Sequence, residues 1–304
     1  MESQRHGLRL TRHDPIDLTC DALLMPIRVA FLGPEGTYGQ QAAQALAELE
    51  GLANFELVPC IGLRSVVEHV ATKRSEMAVV PVENSVEGGV TASLDALWSH
   101  PQLCILRAVV LPIRHALLSS GGLKDISEVL SHPQALAQCS GWLADHLPDA
   151  LQLPTSSTAE AARMVIDSRF RAAIASRPTG QGRGLKELAF PINDVAGNRT
   201  RFLLLRQGTP LQRGDVASFA FSLHANAPGS LLEALTCVAR LGFNMSRIES
   251  RPSKRELGEY VFFVDVELRD GGVGASEQLI EALQPFCEHL VHFGSYLSSD
   301  LELD

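Results

Sequence analysis

Short apolar segments that end in polar, glycine-containing turns constrain the fold of this chain more than any other feature. Residues 28–32 (RVAFL) run into GPEG and then into a stretch of helical periodicity over residues 38–49. Residues 77–82 (MAVVPV) follow a helical stripe and end in ENSVEGG. Segments that are apolar throughout are typical of parallel strands buried on both faces. The sequence therefore predicts an α/β fold, in which polar turns at the strand ends are the expected ligand sites.

The start of the first helix carries its own signal. Thr37 and Gln40 match a capping box, which places the helix N-terminus at the glycine turn. Because the first turn of a helix leaves N–H groups without intrahelical partners, this is a candidate anion site. Further strand and helix patterns follow over residues 105–118, 129–143, 155–167 and 172–175.

A hydrophilic segment after Leu205, RQGTPLQRGD, is the best candidate for a domain boundary. Beyond it, periodicity predicts strands and helices in the order βαββαβ, a ferredoxin-like unit. The predicted strands cover residues 218–224, 244–251, 259–268 and 291–296, and the predicted helices cover residues 228–241 and 277–286.

Composition excludes several classes of protein. A net charge of -9 without a long Lys/Arg run argues against a nucleic-acid partner. The six cysteines stand singly, with no CxxC or zinc-like spacing, so no metal site is predicted. No apolar stretch approaches the roughly 18 residues of a membrane span, and residues 1–26 lack the apolar core of a secretory signal. We therefore expect no membrane partner, a cytoplasmic location and an N-terminal extension over residues 1–26.

Four polar turns hold donors and acceptors at predicted strand ends, although composition alone ranks none of them as catalytic. They are GPEGTY (33–38), VENSVEGG (82–89), SHPQALAQC (131–139) and GNRTRF (197–202). Together with TSSTAEAA, NAPGSLLEAL and RIESRP, and in this order, they resemble the prephenate dehydratase family over about residues 27–297.

The resemblance implies the fold and the domain boundaries. It implies a catalytic region of two α/β lobes, like that of periplasmic binding proteins, over residues 27–208. A regulatory ACT domain is implied over residues 214–299. The family requires no cofactor, and its members assemble as homodimers or homotetramers.

The resemblance also implies the site residues. The family's catalytic positions fall on Thr200, Asn84 and Gln138. Substrate-binding positions fall on Ser131, Arg201, Phe202, Thr37 and Glu83, and positions that bind phenylalanine as an effector fall on Asn226, Ala227, Pro228, Gly229, Ser230, Leu231, Glu249, Ser250, Arg251 and Pro252.

The implied reaction makes sense of these residue types. Prephenate becomes aromatic when its ring carboxylate leaves as CO2 and the opposite hydroxyl leaves as water. An enzyme then needs a donor at the departing hydroxyl and a site that strips water from the ring carboxylate. Thr200 is a candidate donor, and Arg199 or Arg201 could pair with a substrate carboxylate.

Other interpretations stay open at this point. By residue type alone, Thr200 is an ordinary strand residue, Asn84 and Ser131 are turn formers, and His132 before a proline is structural. The chain also departs from the family pattern at Gly39, Arg183 and Leu257.

Two rival functions are an arogenate dehydratase and a catalytically silent metabolite sensor.

The N-terminal extension over residues 1–26 is too short for the helices of a chorismate mutase domain, so a monofunctional enzyme is expected.

Overall fold

The computed structural model describes residues 25–269, 272 and 274–302. The predicted N-terminal extension lies outside the described residues except for its last two positions. None of the helices in the described part of the chain is long and apolar enough to span a membrane. The described residues form two sheets flanked by helices, which confirms the predicted α/β class.

Residues 27–112 alternate strands and helices, as the sequence predicts. Thr37 caps the first helix, and its Oγ1 accepts a hydrogen bond from the Gln40 N–H at 3.3 Å. The elements are β1 (Ile27–Leu32), α1 (Tyr38–Leu49), β2 (Phe55–Cys60), α2 (Leu63–Ala71), β3 (Met77–Asn84), β4 (Gly88–Gly89), α3 (Thr91–Trp98) and β5 (Leu103–Pro112).

Residues 113–198 form a second lobe with a sheet of its own. The chain crosses into this lobe and back at adjacent points, because the Ile113 N–H donates to the Asn198 carbonyl at 2.7 Å. Its elements are β6 (Ala116–Ser119), β7 (Glu128–Ser131), α4 (Pro133–Ala137), α5 (Ser140–His146), β8 (Leu151–Pro154), α6 (Thr158–Met164), β9 (Arg171–Ala175), α7 (Arg177–Gln181) and β10 (Lys186–Ala189).

The remaining chain returns to the first sheet and then builds the C-terminal unit. The predicted βαββαβ order is confirmed, with element ends within a few residues of those expected for all but the last strand. The elements are β11 (Arg199–Gln207), β12 (Val216–Leu223), α8 (Ser230–Arg240), β13 (Asn244–Pro252), β14 (Tyr260–Glu267), α9 (Ala275–Leu283) and β15 (Cys287–Asp300).

The strand orders show how the three units join. The second lobe has the order β10-β6-β9-β7-β8, whereas the larger sheet runs β13-β14-β12-β15-β5-β11-β3-β1-β2, with β4 on β3. Strand β11 lies antiparallel between β5 and β3, so residue 200 enters the middle of this sheet. The first lobe and the C-terminal unit therefore share one continuous sheet.

The last strand makes this connection. Strand β15 is 14 residues long, against the six predicted, and its first part pairs antiparallel with β12. Residues 297–300 then pair in parallel with residues 107–110 of β5. The hydrophobic core is also continuous there, since Leu94 and Leu97 of α3 share a cluster with Phe263, Phe293 and Tyr296.

Candidate active site

A cleft of about 1020 Å³ lies between the two lobes. Strand ends of the first lobe, the first turn of α1, helix α4 and the start of α6 contribute its walls. Of the sequence-predicted catalytic and substrate-binding residues, the lining includes Thr37, Asn84, Gln138, Thr200 and Phe202.

Asn84 and Thr200 form the centre of the site. They are cross-strand neighbours at the end of β3 and the start of β11, and both are more than 90% buried. The Asn84 Nδ2 donates to Thr200 Oγ1 at 2.8 Å, while its Oδ1 accepts from the N–H groups of Val86 and Glu87, each at 3.0 Å. Because both ends of the amide are bound, its orientation is fixed. Thr200 accepts from Asn84, so its own O–H stays free to donate into the cleft.

Gln138 joins the same network from the second lobe. It is the C-cap residue that directly follows the short helix α4, and the N-terminus of this helix is capped by His132, whose Nδ1 accepts from the Gln134 N–H at 3.3 Å. The Gln138 Oε1 accepts from Asn198 Nδ2 at 3.0 Å, and Asn198 Oδ1 accepts from Asn84 Nδ2 at 2.9 Å. We call Asn84, Gln138, Asn198 and Thr200, together with His115, the cleft network.

His115 is a member of this network that sequence reasoning missed. Its side chain is 97% buried, and burial lowers its pKa to about 4, so the ring is neutral near pH 7. The Nε2 lies 3.2 Å from Gln138 Oε1 and donates there, which leaves Nδ1 as an acceptor without a partner among the described residues. No polar turn flanks His115 in the sequence, so no local signal marked it.

Asn198 and Tyr38 were also not singled out, although both lie inside turns that were. Tyr38 packs edge-on against the His115 ring, with centroids 5.9 Å apart, and its hydroxyl donates to the Arg114 carbonyl at 2.6 Å. Burial raises the Tyr38 pKa above its usual range, so the hydroxyl stays protonated. The aromatic ring thus fixes the orientation of His115 within the cleft wall.

Thr37 and Phe202 reach the cleft in different ways. The Thr37 hydroxyl is used locally, since it donates to the Pro34 carbonyl at 3.0 Å and caps α1. What Thr37 offers a ligand is therefore the first turn of the helix, which attracts anions. Phe202 is 4% exposed and offers an apolar surface beside Thr200.

Three of the predicted substrate-binding residues, Ser131, Arg201 and Glu83, do not line this cleft. Ser131 is fully buried, and its hydroxyl donates to the Ile174 carbonyl at 2.7 Å, so it ties β7 to β9. Arg201 and Glu83 point to the opposite face of the β3–β11 pair, because side chains of a strand alternate and their neighbours Thr200 and Asn84 occupy the cleft face.

On that opposite face, Glu83 and Arg201 meet Arg247 and Asp265 of the C-terminal unit, and we call these four residues the charged cluster. Arg201 pairs with Asp265 and lies 3.1 Å from Glu83, while Arg247 lies 3.9 Å from Asp265. Burial lowers the Arg201 pKa, but attraction to Asp265 outweighs it and keeps the pKa above its usual range. Arg201 therefore holds the two units together and is not available to a ligand in the cleft.

The predicted effector residues fall in two places on the C-terminal unit. Residues 226–229 form the exposed turn before α8 and residues 230–231 begin that helix, and Asn226 Nδ2 donates to the Gly258 carbonyl at 2.9 Å. Residues 249–252 end strand β13, and there Arg251 makes two bonds to Asp95 of α3, at 3.1 and 3.2 Å. The second segment thus contacts the first lobe directly.

Fold and site together define a two-lobed α/β protein whose cleft is lined by a neutral hydrogen-bond network, with a βαββαβ unit on the same sheet. Within the described residues, no three His, Cys, Asp or Glu side chains group as metal ligands. A family model described as prephenate dehydratase matches residues 29–210. The chain belongs to the prephenate dehydratase family.

Individual relatives agree with this assignment. The chain is 36% identical to the prephenate dehydratase of Amycolatopsis methanolica, over 90% of this chain and 89% of the relative. It is 41% identical to a bifunctional chorismate mutase/prephenate dehydratase of Neisseria gonorrhoeae, over 82% of this chain and 68% of the relative. A crystal structure of the Arthrobacter aurescens prephenate dehydratase in complex with L-Phe superposes with a TM-score of 0.79 at 34% identity, covering 89% of this chain and 90% of that one.

Proposed function

We propose that this protein is a prephenate dehydratase, which converts prephenate to phenylpyruvate in L-phenylalanine biosynthesis. The observation that carries the proposal is the Thr200 hydroxyl, held by Asn84 at 2.8 Å in the wall of the cleft. Membership of the family supplies the reaction, and the cleft network supplies groups that suit it.

The reaction needs one proton and no redox partner. The bond between the ring and its carboxylate breaks to give CO2, and that electron pair moves through the ring to expel the hydroxyl at the opposite carbon. The departing oxygen takes up one proton and leaves as water. The buried, neutral surface around Thr200 favours this step, because it displaces the water that stabilises the ring carboxylate in the ground state.

Thr200 is the group proposed to meet the departing hydroxyl. Since a free Thr hydroxyl is a weak acid, Thr200 donates a hydrogen bond that orients the leaving oxygen or relays a proton to it. Asn84 fixes the direction of that hydrogen bond, and Gln138 fixes Asn198 behind it. His115 holds Gln138 and acts as a positioning residue.

Two further residues complete the proposed substrate site. The first turn of α1 at Thr37 favours an anionic group of the substrate, and Phe202 packs against its ring. The departures from the family pattern at Gly39 and Arg183 both line this cleft, so the chain has its own version of the substrate site.

The test is formation of phenylpyruvate from prephenate by the purified protein, with arogenate as a parallel substrate. We expect turnover of prephenate, with a kcat/KM above that for arogenate. The reverse ratio would assign an arogenate dehydratase. Binding of prephenate without turnover of either compound would instead indicate a metabolite sensor.

We also infer that the C-terminal unit, residues 214–299, is an ACT domain that binds phenylalanine. The relative crystallised with L-Phe and the exposed turn at residues 226–229 support this inference. Calorimetry with phenylalanine tests it, and Asn226→Ala should weaken binding while Asp145→Asn, an exposed change in the second lobe, should not. Turnover measured with and without phenylalanine gives the direction of any regulation.

A homodimer or homotetramer is the proposed assembly. Strand β13 is an edge of the large sheet, and Ile248 and Leu257 in and beside it are exposed, at 46% and 107%. Apolar side chains at an open sheet edge favour association with a second copy. Light scattering of the purified chain would distinguish these states from a monomer.

A further inference from the structure

Among the described residues, the cleft lining holds one arginine without an ion-pair partner, and its charge suits an anionic substrate. Arg199, one of the two sequence candidates, lies 3.6 Å from Asp300, and Arg201 belongs to the charged cluster. The guanidinium groups that line the cleft are those of Arg163 and Arg183. Arg163 is 68% exposed and lies 3.6 Å from Glu160, whereas Arg183 makes no ion pair with any carboxylate of the described residues.

Arg183 is held at the interface between the two lobes. It follows α7 in the second lobe, and its Nη1 donates to the Thr179 carbonyl at 3.1 Å. A Cβ atom built on Gly36 of the first lobe would lie 3.2 Å from the same nitrogen, so the guanidinium rests against the turn before α1. Thr179 Oγ1 donates to the Gly36 carbonyl and holds the two lobes together there. One of five guanidinium donors is used, so the others remain for a ligand.

We propose that Arg183 binds the side-chain carboxylate of the substrate and so determines specificity for a ring that bears a carboxylated side chain. This inference rests on the proposed function. The two substrate carboxylates differ in one decisive respect, because the ring carboxylate becomes neutral CO2 while the side-chain carboxylate keeps its charge throughout. An arginine on the ring carboxylate would stabilise the ground state over the transition state and slow the reaction.

Arg183 on the side-chain carboxylate has no such cost. The contact is equally strong before and during the reaction, so it lowers KM and leaves kcat unchanged. Thr200 lies in the first lobe and Arg183 in the second. The substrate therefore spans both lobes, with its hydroxyl at Thr200 and its side chain at Arg183.

The experiment compares the steady-state kinetics of Arg183→Met, Arg183→Lys and the control Arg64→Met, an arginine outside the cleft lining. We expect Arg183→Met to raise KM for prephenate between about tenfold and hundredfold, the range for a lost charged hydrogen bond, with kcat within about twofold. Arg183→Lys keeps the charge but loses the planar guanidinium, so its KM should lie between those of the wild type and Arg183→Met. Arg64→Met should stay within about twofold in both constants, because Arg64 is 89% exposed, pairs with Glu68 and lies outside the cleft.

Inhibition by phenylpyruvate identifies the carboxylate. This product keeps the side-chain carboxylate and has lost the ring carboxylate, so its inhibition constant should rise by the same factor as KM in Arg183→Met. An unchanged inhibition constant beside a raised KM would overturn the proposal, because Arg183 would then contact the ring carboxylate. An unchanged KM in Arg183→Met would overturn it as well.

Failure of the proposed function would look different. If the wild-type protein does not turn over prephenate, that function fails, and phenylpyruvate binding measured by calorimetry still tests Arg183. A Kd that rises at least tenfold in Arg183→Met, and not in Arg64→Met, supports the subsite, whereas equal affinities or no binding to the wild type overturn it. Unfolding midpoints close to that of the wild type show that the variants are folded.

Discussion

The two faces of the β3–β11 strand pair differ sharply, although they are made by neighbouring residues. Asn84 and Thr200 face the cleft and join a network of neutral amide, hydroxyl and imidazole groups. Glu83 and Arg201, one position away on each strand, face the C-terminal unit and join the charged cluster. The same two strands therefore carry the proposed chemistry on one face and an interdomain contact on the other.

The difference shows how the two tasks can be kept apart. A neutral network can be left with a free donor at small cost, because its members still have alternative partners. A buried charge has no such freedom, since removing its partner leaves it uncompensated in a poorly solvated interior. We therefore expect substitutions on the cleft face to change turnover and substitutions on the opposite face to change stability.

The largest expected effect is on the cleft face. Thr200→Val keeps the shape of the side chain but removes the hydroxyl, so kcat should fall by roughly 10²- to 10⁴-fold. The free energy of unfolding should change by only about 1 kcal/mol, because Asn84 Nδ2 still has Asn198 Oδ1 and the Arg199 carbonyl within reach. Thr200→Ser is the control that keeps the hydroxyl. Full activity in Thr200→Val would refute the proposed role of the hydroxyl.

Substitutions in the charged cluster should lower the free energy of unfolding and leave kcat nearly unchanged. Asp265→Asn removes the most buried carboxylate of the charged cluster, so that Arg201 keeps only Glu83 at 3.1 Å and Arg247 keeps Glu249 at 2.5 Å. Loss of this charge should cost about 2–3 kcal/mol in the free energy of unfolding. Urea denaturation measures this loss, with Glu68→Gln in the exposed pair with Arg64 as the control that should change little. A variant as stable as the wild type but with reduced kcat would break the division between the two faces.

The neutrality of the cleft face predicts a dependence of stability on pH. The pKa of His115 is about 4 in the folded protein, against an ordinary value of 6.5, so between these values the unfolded chain binds more protons. Stability from this residue is complete above pH 6.5 and is lost as the pH falls toward 4, by about 2 kcal/mol at pH 5.

Urea denaturation at pH 7.5 and pH 5 checks this expectation. His115→Gln should reduce the difference in unfolding free energy between the two pH values, and His146→Gln, which removes an exposed histidine, should not. His292, whose pKa burial also lowers to about 4, should account for part of what remains. Equal pH slopes in the wild type and His115→Gln would mean that the cleft histidine is not held neutral.

The smallest effect is expected at the outer contact between the C-terminal unit and α3. Burial raises the Asp95 pKa, but hydrogen bonds from Arg251 and Lys254 outweigh it and lower the pKa overall. Because this group is partly exposed, Asp95→Asn should cost only about 1 kcal/mol, and less at high salt. The exposed Asp145→Asn change is the control for loss of one charge. A loss as large as that in Asp265→Asn would place the main interdomain contact at α3 instead.

Much of this fold could be predicted from local pattern. The helix over residues 38–49 and its Thr37 cap are confirmed, as is the βαββαβ order after the hydrophilic segment. The extra length of β15 could not be predicted, because its last residues are ordered by pairing with β5, about 190 residues earlier in the chain. The effector residues and the domain boundaries stay predictions.

The predicted site residues show the same difference between local pattern and long-range contacts. Asn84, Gln138 and Thr200 meet in one network, whereas Arg201 and Glu83 were assigned to the cleft although strand alternation already placed them on the other face. His115 gave no local signal, since its role depends on Gln138, which lies 23 positions later in the sequence.

The sequence by itself therefore determined the class of fold, the family and the turns that carry the polar groups, because these depend on periodicity and short motifs within a few residues. The tertiary structure alone decided which face of each strand meets the cleft, which cleft arginine has no carboxylate partner among the described residues and how the C-terminal unit joins the large sheet. These features depend on contacts between residues far apart in the sequence, and such contacts leave no local pattern to read.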